Sequence, residues 1–170
     1  MKSIDELTKY FGFYKSNSDF ESFLNSNLIE PSKYDSEFLT IDCKKTDLEI
    51  GFTNERMIRD GDEEKNLSGG KPIFTHFFIF PKSIKLFDKL PYSVDFGDNL
   101  EQIAQKAATP NKVIETDNSF FGKTKRYLYN LNKYKVVFEY NFDEKKLTQI
   151  TVEQIEKYII EESKPAYNKV

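Results

Sequence analysis

The sequence predicts an α+β fold in which short helices cover an antiparallel sheet. Two observations support this prediction: short helical patterns with capping residues alternate with segments of strand composition, and aromatic residues are abundant. The chain has 16 Phe and 10 Tyr but no Trp. Large rings commonly fill the layer between a sheet and its helices. A length of 170 residues fits one compact domain over residues 1–170.

Two helices are predicted near the N-terminus. Ser3 and Glu6 have the spacing of a capping box at the start of a helix over residues 3–11. Ser18 and Glu21 repeat this spacing, and the apolar residues that follow recur at the i, i+3, i+4 positions of an amphipathic helix. Each helix is therefore expected to pack one apolar face on the sheet.

Strands follow in the middle of the chain. Residues 38–43 and 48–53 have strand composition and predict a hairpin. The strongest strand pattern spans residues 73–80, with Phe74, His76, Phe78 and Phe80 expected on one face and Ile73, Thr75, Phe77 and Ile79 on the other. Because both faces carry apolar residues, we expect this strand to be covered on both sides. Residues 83–87 are expected to pair with it, which gives a central hairpin over 73–87.

The second half repeats the order of helix and strands. A helix is expected to begin at Asp98 with Glu101 as its reciprocal capping partner, and to end at Pro110. Three strands are expected at residues 126–131, 134–141 and 147–152, and a terminal helix from Thr151 onward. The middle strand has the alternation of a half-buried strand, with Tyr134, Val136, Phe138 and Tyr140 on one side and Lys135, Val137 and Glu139 on the other. The order of elements predicts a pseudo-repeat of two helix-hairpin units, residues 18–58 and 98–152.

Charge and hydropathy exclude several classes of protein. The 25 basic and 28 acidic residues give a net charge of -3 without a basic stripe, so no nucleic-acid partner is expected. No segment has the length and apolarity of a signal peptide or a membrane helix, so no membrane partner is expected. With one cysteine, Cys43, the sequence predicts a cytoplasmic protein without an intramolecular disulfide.

Few residues carry recognisable chemistry. His76 is the single histidine and lies in an aromatic run, where a packed core histidine is the expected role. A nucleophile pair of Cys43 and His76 is the alternative, because both lie on predicted strands. That alternative describes a small-ligand-binding protein or an enzyme.

An acidic loop precedes the strongest strand. Asp60, Asp62 and Glu64 have the spacing of the first calcium ligands of an EF-hand loop, but Lys65 and Lys71 stand where that loop requires Gly and Glu. The sequence therefore predicts a solvated acidic loop, with no metal and no cofactor.

Phe120 and Phe121 are adjacent in a predicted turn. Neighbouring side chains in a turn do not readily both point inward, so one of them is a candidate contact residue. The other interpretation places both rings under the edge of the sheet.

The second half also resembles a known family. In order, it contains an aromatic strand, a Leu-Pro-Tyr segment, a Phe-Gly-Asp helix start, a proline stop and an aromatic hairpin, at residues 77–80, 90–92, 96–98, 110 and 127–142. This order resembles small immunity-type proteins of bacterial polymorphic toxin systems. It is also similar to the fold of the beta-lactamase inhibitory protein and the outer-membrane assembly lipoproteins. At the helix end the sequence is Ala107-Ala108-Thr109-Pro110, where the family pattern has Leu-Gly-x-Pro.

The resemblance implies a non-catalytic protein that neutralises a cognate protein toxin by occluding its active site. It implies that aromatic anchors supply the binding energy and that an acidic rim sets the association rate. The contact residues expected on this basis are Asp60, Asp62, Glu63, Glu64, Phe120 and Phe121.

Overall fold

The computed structural model describes residues 1, 3–27, 29, 40–43, 46–60, 70–118 and 122–155. The helices of these ranges are α1 (Asp5–Thr8), α2 (Ser18–Ser26), α3 (Glu55–Asp60) and α4 (Leu100–Ala107), with 3-10 helices at Pro81–Leu86 and Pro91–Ser93. The strands are β1 (Thr40–Cys43), β2 (Leu48–Asn54), β3 (Pro72–Ile79), β4 (Lys112–Asn118), β5 (Gly122–Leu131), β6 (Tyr134–Asn141) and β7 (Lys146–Gln154).

The seven strands form one sheet in the order β1-β2-β3-β7-β6-β5-β4. Every neighbouring pair is antiparallel. The α+β class and the hairpin of β1 and β2 are therefore confirmed.

The core lies between one face of the sheet and helices α1, α2 and α4. Their buried residues join a cluster with side chains of the central strands. The Phe20 ring of α2 stacks on Phe74 of β3 at 4.7 Å between centroids. On β6 the predicted alternation is confirmed, because Val136 and Phe138 are fully buried and Val137 between them is not.

A β-bulge on β3 overturns its predicted two-residue periodicity. Gly51 pairs with His76 but the next residue of β2, Phe52, pairs with Phe74, which leaves Thr75 as the extra residue. Phe74 therefore joins Phe77 in the core, although the alternation placed them on opposite faces.

The central hairpin expected over residues 73–87 is wrong. Residues Pro81–Leu86 form a 3-10 helix, and β3 pairs instead with β2 and β7. Pro81 has no amide hydrogen for a ladder, and the Ser83 hydroxyl oxygen accepts from the Phe80 amide at 2.8 Å. These contacts turn the chain away from the sheet immediately after β3.

The helix caps lie one residue from the predicted positions. The Asn17 side chain accepts from the amides of Asp19 and Phe20 and caps α2, in place of Ser18. Asn99 caps α4 in place of Asp98, and Gln102 rather than Glu101 is its reciprocal partner. One physical reason covers all three differences. The side-chain oxygen of Asn or Gln accepts a hydrogen bond from an unpaired backbone amide at a helix start as well as a hydroxyl or a carboxylate does.

Asp98 has a different role, because its buried carboxylate accepts from Lys106 Nζ at 2.7 and 2.8 Å. Burial alone would raise the pKa of Asp98, but the bonds from Lys106 and from the Asp95 amide hold that pKa below its usual value. Asp98 thus connects the turn before α4 to the last turn of the helix.

The second half contains a strand that the pattern missed. β4 (Lys112–Asn118) is paired along its full length with β5, although it is largely polar. At the other end, Thr151–Gln154 continues β7, so the helix expected from Thr151 does not begin there. Thr151 pairs with Phe78 of β3 and with Val137 of β6. These two ladders outweigh the local capping pattern that predicted a helix start at Thr151. Residues 156–170 lie outside the described residues, and the pseudo-repeat stays a prediction.

Candidate functional site

The sheet face opposite the core, here called the open face, carries the candidate site. Helices α1, α2 and α4 pack on the other side, and α3 contacts Ile73 and Tyr14 at the start of β3. Among the described residues, β3 is therefore covered on both sides at its start, whereas Phe78 near its end is half-buried. The open face consists of His76, Phe78, Ile114, Arg126, Leu128, Lys135, Val137, Glu139, Gln149, Thr151 and Glu153.

The strand register arranges these side chains in three cross-strand rows. The middle row runs Phe78, Thr151, Val137, Leu128 and is mainly apolar. The two flanking rows are polar, one with His76, Glu153 and Lys135 and the other with Gln149, Glu139, Arg126 and, at its end, the apolar Ile114. The open face therefore has an apolar centre between two charged borders.

The charged residues of the borders are bonded to one another. Lys135 Nζ lies 3.0 Å from Glu153 Oε2, and Arg126 Nε donates to Glu139 Oε2. In each pair the two residues face each other across neighbouring strands, at positions where opposite charges stabilise a sheet. Between the pairs lies a depression of about 280 Å³ lined by residues of the open face.

The His76 ring rests on the backbone of Gly51. A Cβ atom at Gly51 would lie 1.9 Å from His76 Nε2. Nδ1 is 2.9 Å from the Thr75 hydroxyl, and the ring meets Phe78 edge-on at 5.2 Å. Burial lowers the pKa of His76, which the charge of Glu153 partly opposes. The ring is a packed part of this border of the face.

The structure does not bring Cys43 and His76 together. Cys43 pairs with Leu48 on β2, whereas His76 pairs with Gly51, three residues further along the same strand. The two residues are therefore about 10 Å apart across the sheet, which is two strand spacings, and about 10 Å apart along the strands, which gives about 14 Å in total. A direct hydrogen bond between these residues is incompatible with that register.

A larger cavity of about 720 Å³ lies at the end of the sheet beside α1. The Tyr134 hydroxyl, on its wall, donates to Asp5 Oδ1 at 2.8 Å. Burial and this bond raise the pKa of Tyr134. The cavity has the size of a small-molecule site, so the small-ligand alternative stays a hypothesis that no longer depends on Cys43 and His76.

Most of the contact residues predicted from the sequence lie outside the described residues. Asp60 is the last residue of α3, and its side chain is not described. Asp62, Glu63 and Glu64 lie outside the described ranges, as do Phe120 and Phe121. These residues stay predictions.

The register does define where the two predicted contact segments are attached. Residues 61–69 connect to β3 at the end where Asn54 pairs with Pro72. Residues 119–121 join β4 to β5 at the opposite end, where Asn118 pairs with Gly122. The attachment points are therefore at opposite ends of the strands, one at the interior strand β3 and the other at the edge strand β4 of the described sheet.

Sequence reasoning missed the open face as a site. The alternation of β6 gave a partial signal, since Lys135, Val137 and Glu139 were expected on the less buried side. Which side chains lie beside them in the sheet depends on pairings between distant strands, such as Phe78 with Thr151. A local sequence pattern does not predict such pairings.

Within the described ranges, no group of three or more His, Cys, Asp or Glu side chains is arranged to hold a metal ion. Nor does any helix in this part of the chain have the length and apolarity to span a bilayer.

No family model and no curated protein match the sequence. Among solved structures, the chain is similar to YjgB, a DUF4309 family protein from Bacillus subtilis, at 12% identity and a TM-score of 0.47. The similarity covers 79% of this chain and 78% of that chain.

Proposed function

We propose that this chain is a non-catalytic binding protein that recognises a protein partner with the open face of its sheet. In line with the family resemblance, the partner is a cognate protein toxin, and the chain is an immunity protein that occludes the toxin's active site in the cytoplasm. The observation that carries the proposal is the mainly apolar middle row, in which Phe78, Val137 and Leu128 lie with Thr151 across four strands between charged borders.

The composition of this face supports binding of a protein. Protein interfaces combine an apolar centre with a polar rim, and a few residues at the centre supply most of the binding energy. The apolar side chains of the open face are half-buried by their neighbours in the sheet. They are therefore held in place before a partner arrives, which lowers the entropic cost of association.

The rigidity of the sheet explains how such a face would inhibit an enzyme. β7 and β6 lie in the middle of the sheet and are paired on both sides, so the open face is presented by backbone that is fixed by two ladders. A rigid surface built from five strands can cover the entrance to an enzyme's active site, and the inhibitor then needs no reactive residue.

The proposal predicts that a toxin domain is encoded beside this chain's gene, and binding to that domain tests it. Val137→Lys places a charge at the centre of the open face, and we expect affinity to fall by about 100-fold. Val113→Lys is the matched control, because Val113 is 42% exposed on the opposite side of β4. Isothermal calorimetry gives the affinity, and survival of cells that produce the toxin gives the biological effect.

Two outcomes would contradict the proposal. If the unmodified chain neither binds the toxin domain nor protects the cells, the immunity function is wrong. If Val137→Lys and Val113→Lys bind equally well, and circular dichroism shows both variants folded, the toxin binds elsewhere.

A further inference from the structure

We infer that the depression of the open face receives one uncharged apolar side chain of the partner, and that net charge plays little part in recruiting that partner. The inference rests on the proposed function and specifies the chemistry recognised at the same site.

The walls of the depression determine what fits into it. Phe78, Val137, Leu128 and Ile114 contribute apolar surface from four strands. The volume of about 280 Å³ lies near the lower limit of small-molecule pockets, so it suits a single large side chain rather than an extended ligand. An apolar or aromatic side chain in such a pocket is the usual anchor of a protein interface.

The charges beside the depression are already neutralised within the chain. Lys135 is paired with Glu153 and Arg126 with Glu139, so two positive and two negative charges cancel over a short distance. Side-chain exposure of these four residues ranges from 19% to 52%, which places them partly within the sheet surface. A charged partner group would have to displace one member of a formed pair, at a desolvation cost.

Paired charges also produce only a weak field at a distance. Electrostatic steering requires a surface on which one sign of charge dominates. The borders of the open face lack that imbalance among these four residues, in contrast to the acidic rim expected from the family resemblance. They instead form a polar ring that excludes water from the apolar centre when a partner is bound.

Small probes test this chemistry without the partner. Methyl NMR spectra of the full chain are recorded during titration with indole, acetate and guanidinium, which are neutral, negative and positive. We expect indole to shift the methyl signals of Ile114, Leu128 and Val137, and the two ions to bind there about tenfold more weakly or not at all. The methyl signals of Val113 on the other side of β4 are the internal control.

Variants connect the shifts to the depression. Ile114→Lys on the edge strand and Leu128→Lys on β5 are each expected to abolish the indole shifts, and Val113→Lys is expected to preserve them. The inference is overturned if indole shifts none of the three methyl groups, or if acetate or guanidinium shifts them as strongly as indole does.

The partner assay separates this inference from the proposed function. If the toxin domain binds the open face with a rate constant that falls steeply with added salt, the proposed function holds and the inference is wrong. If the toxin domain does not bind but indole occupies the depression, the inference on the chemistry of the site holds and the identity of the partner is wrong.

Discussion

Gly51 shows how one absent side chain shapes the border of the open face. The His76 ring occupies the space that a β-carbon at Gly51 would require, at 1.9 Å from Nε2. The ring also contacts Phe78, the first residue of the apolar middle row. Packing at one glycine thus positions two side chains of the face.

Gly51→Ala is expected to destabilise the fold by about 2 kcal/mol, because the methyl group forces the His76 ring out of place. In a His76→Ala background the same substitution should cost much less, since the obstructing ring is absent. Urea denaturation of the two single variants and the double variant measures this coupling. An equal cost of Gly51→Ala in both backgrounds would show that the ring does not limit the space at Gly51.

At the scale of elements, α4 has a favourable start and a strained end. Asn99 and Gln102 cap its start reciprocally. The residue after its last turn, Ala108, has φ 60° and ψ -152°, a conformation that residues other than glycine rarely adopt.

Ala108→Gly should therefore stabilise the chain by about 1 kcal/mol, because it removes the strain of the β-carbon. Ala104→Gly is the matched control: Ala104 is exposed in the middle of α4, where glycine should cost about 1 kcal/mol. The midpoints of thermal unfolding should move in opposite directions. A decrease for both variants would rule out strain at Ala108.

The elements also show what local sequence can predict. The alternation of β6 was readable because its core side is continuously apolar, with Val136 and Phe138 fully buried. The strand β4 could not be recognised in the sequence, because Lys112–Asn118 lies at the edge of the described sheet, where a strand needs few apolar residues. The bulge at Thr75 and the strand role of Thr151 arise from pairing with distant strands, which overrides local preference.

The candidate site was predictable to a smaller extent than the fold. Lys135, Val137 and Glu139 lie on one strand, and their alternation marked an exposed side. That Val137 is flanked by Thr151 and Leu128 depends on the order of strands, which one sequence does not contain. The acidic segment and the Phe pair remain predictions from local composition.

At the scale of the whole molecule, the sheet joins two blocks of strands. β1, β2 and β3 form one block, and β7, β6, β5 and β4 form the other. The junction is the ladder of β3 with β7, in which residues His76–Ile79 pair with Ile150–Glu153. Phe77 and Val152 are opposite each other in this ladder and are both fully buried. The open face crosses the junction through Phe78 and Thr151.

Amide hydrogen exchange should reflect this arrangement. The amides of β7 have strands on both sides and should exchange only when the whole domain unfolds. Those of β4 should exchange orders of magnitude faster, because within the described ranges β4 is bonded to a strand on one side only and most of its side chains are exposed. NMR-detected exchange under EX2 conditions measures both. Equal protection of the two strands would show that the β4 edge is covered in solution.

The ladder of β3 with β7 also has a consequence for synthesis on the ribosome. Ile79 is synthesised 71 residues before its partner Ile150. When β3 leaves the ribosome it can pair with β2, which precedes it, but its other edge has no partner until β7 is made. Such long-range pairing delays folding and leaves an aromatic strand open to other chains in the meantime. The rate of translation between β3 and β7, and chaperones that bind nascent chains, therefore influence how much of this protein reaches its native state.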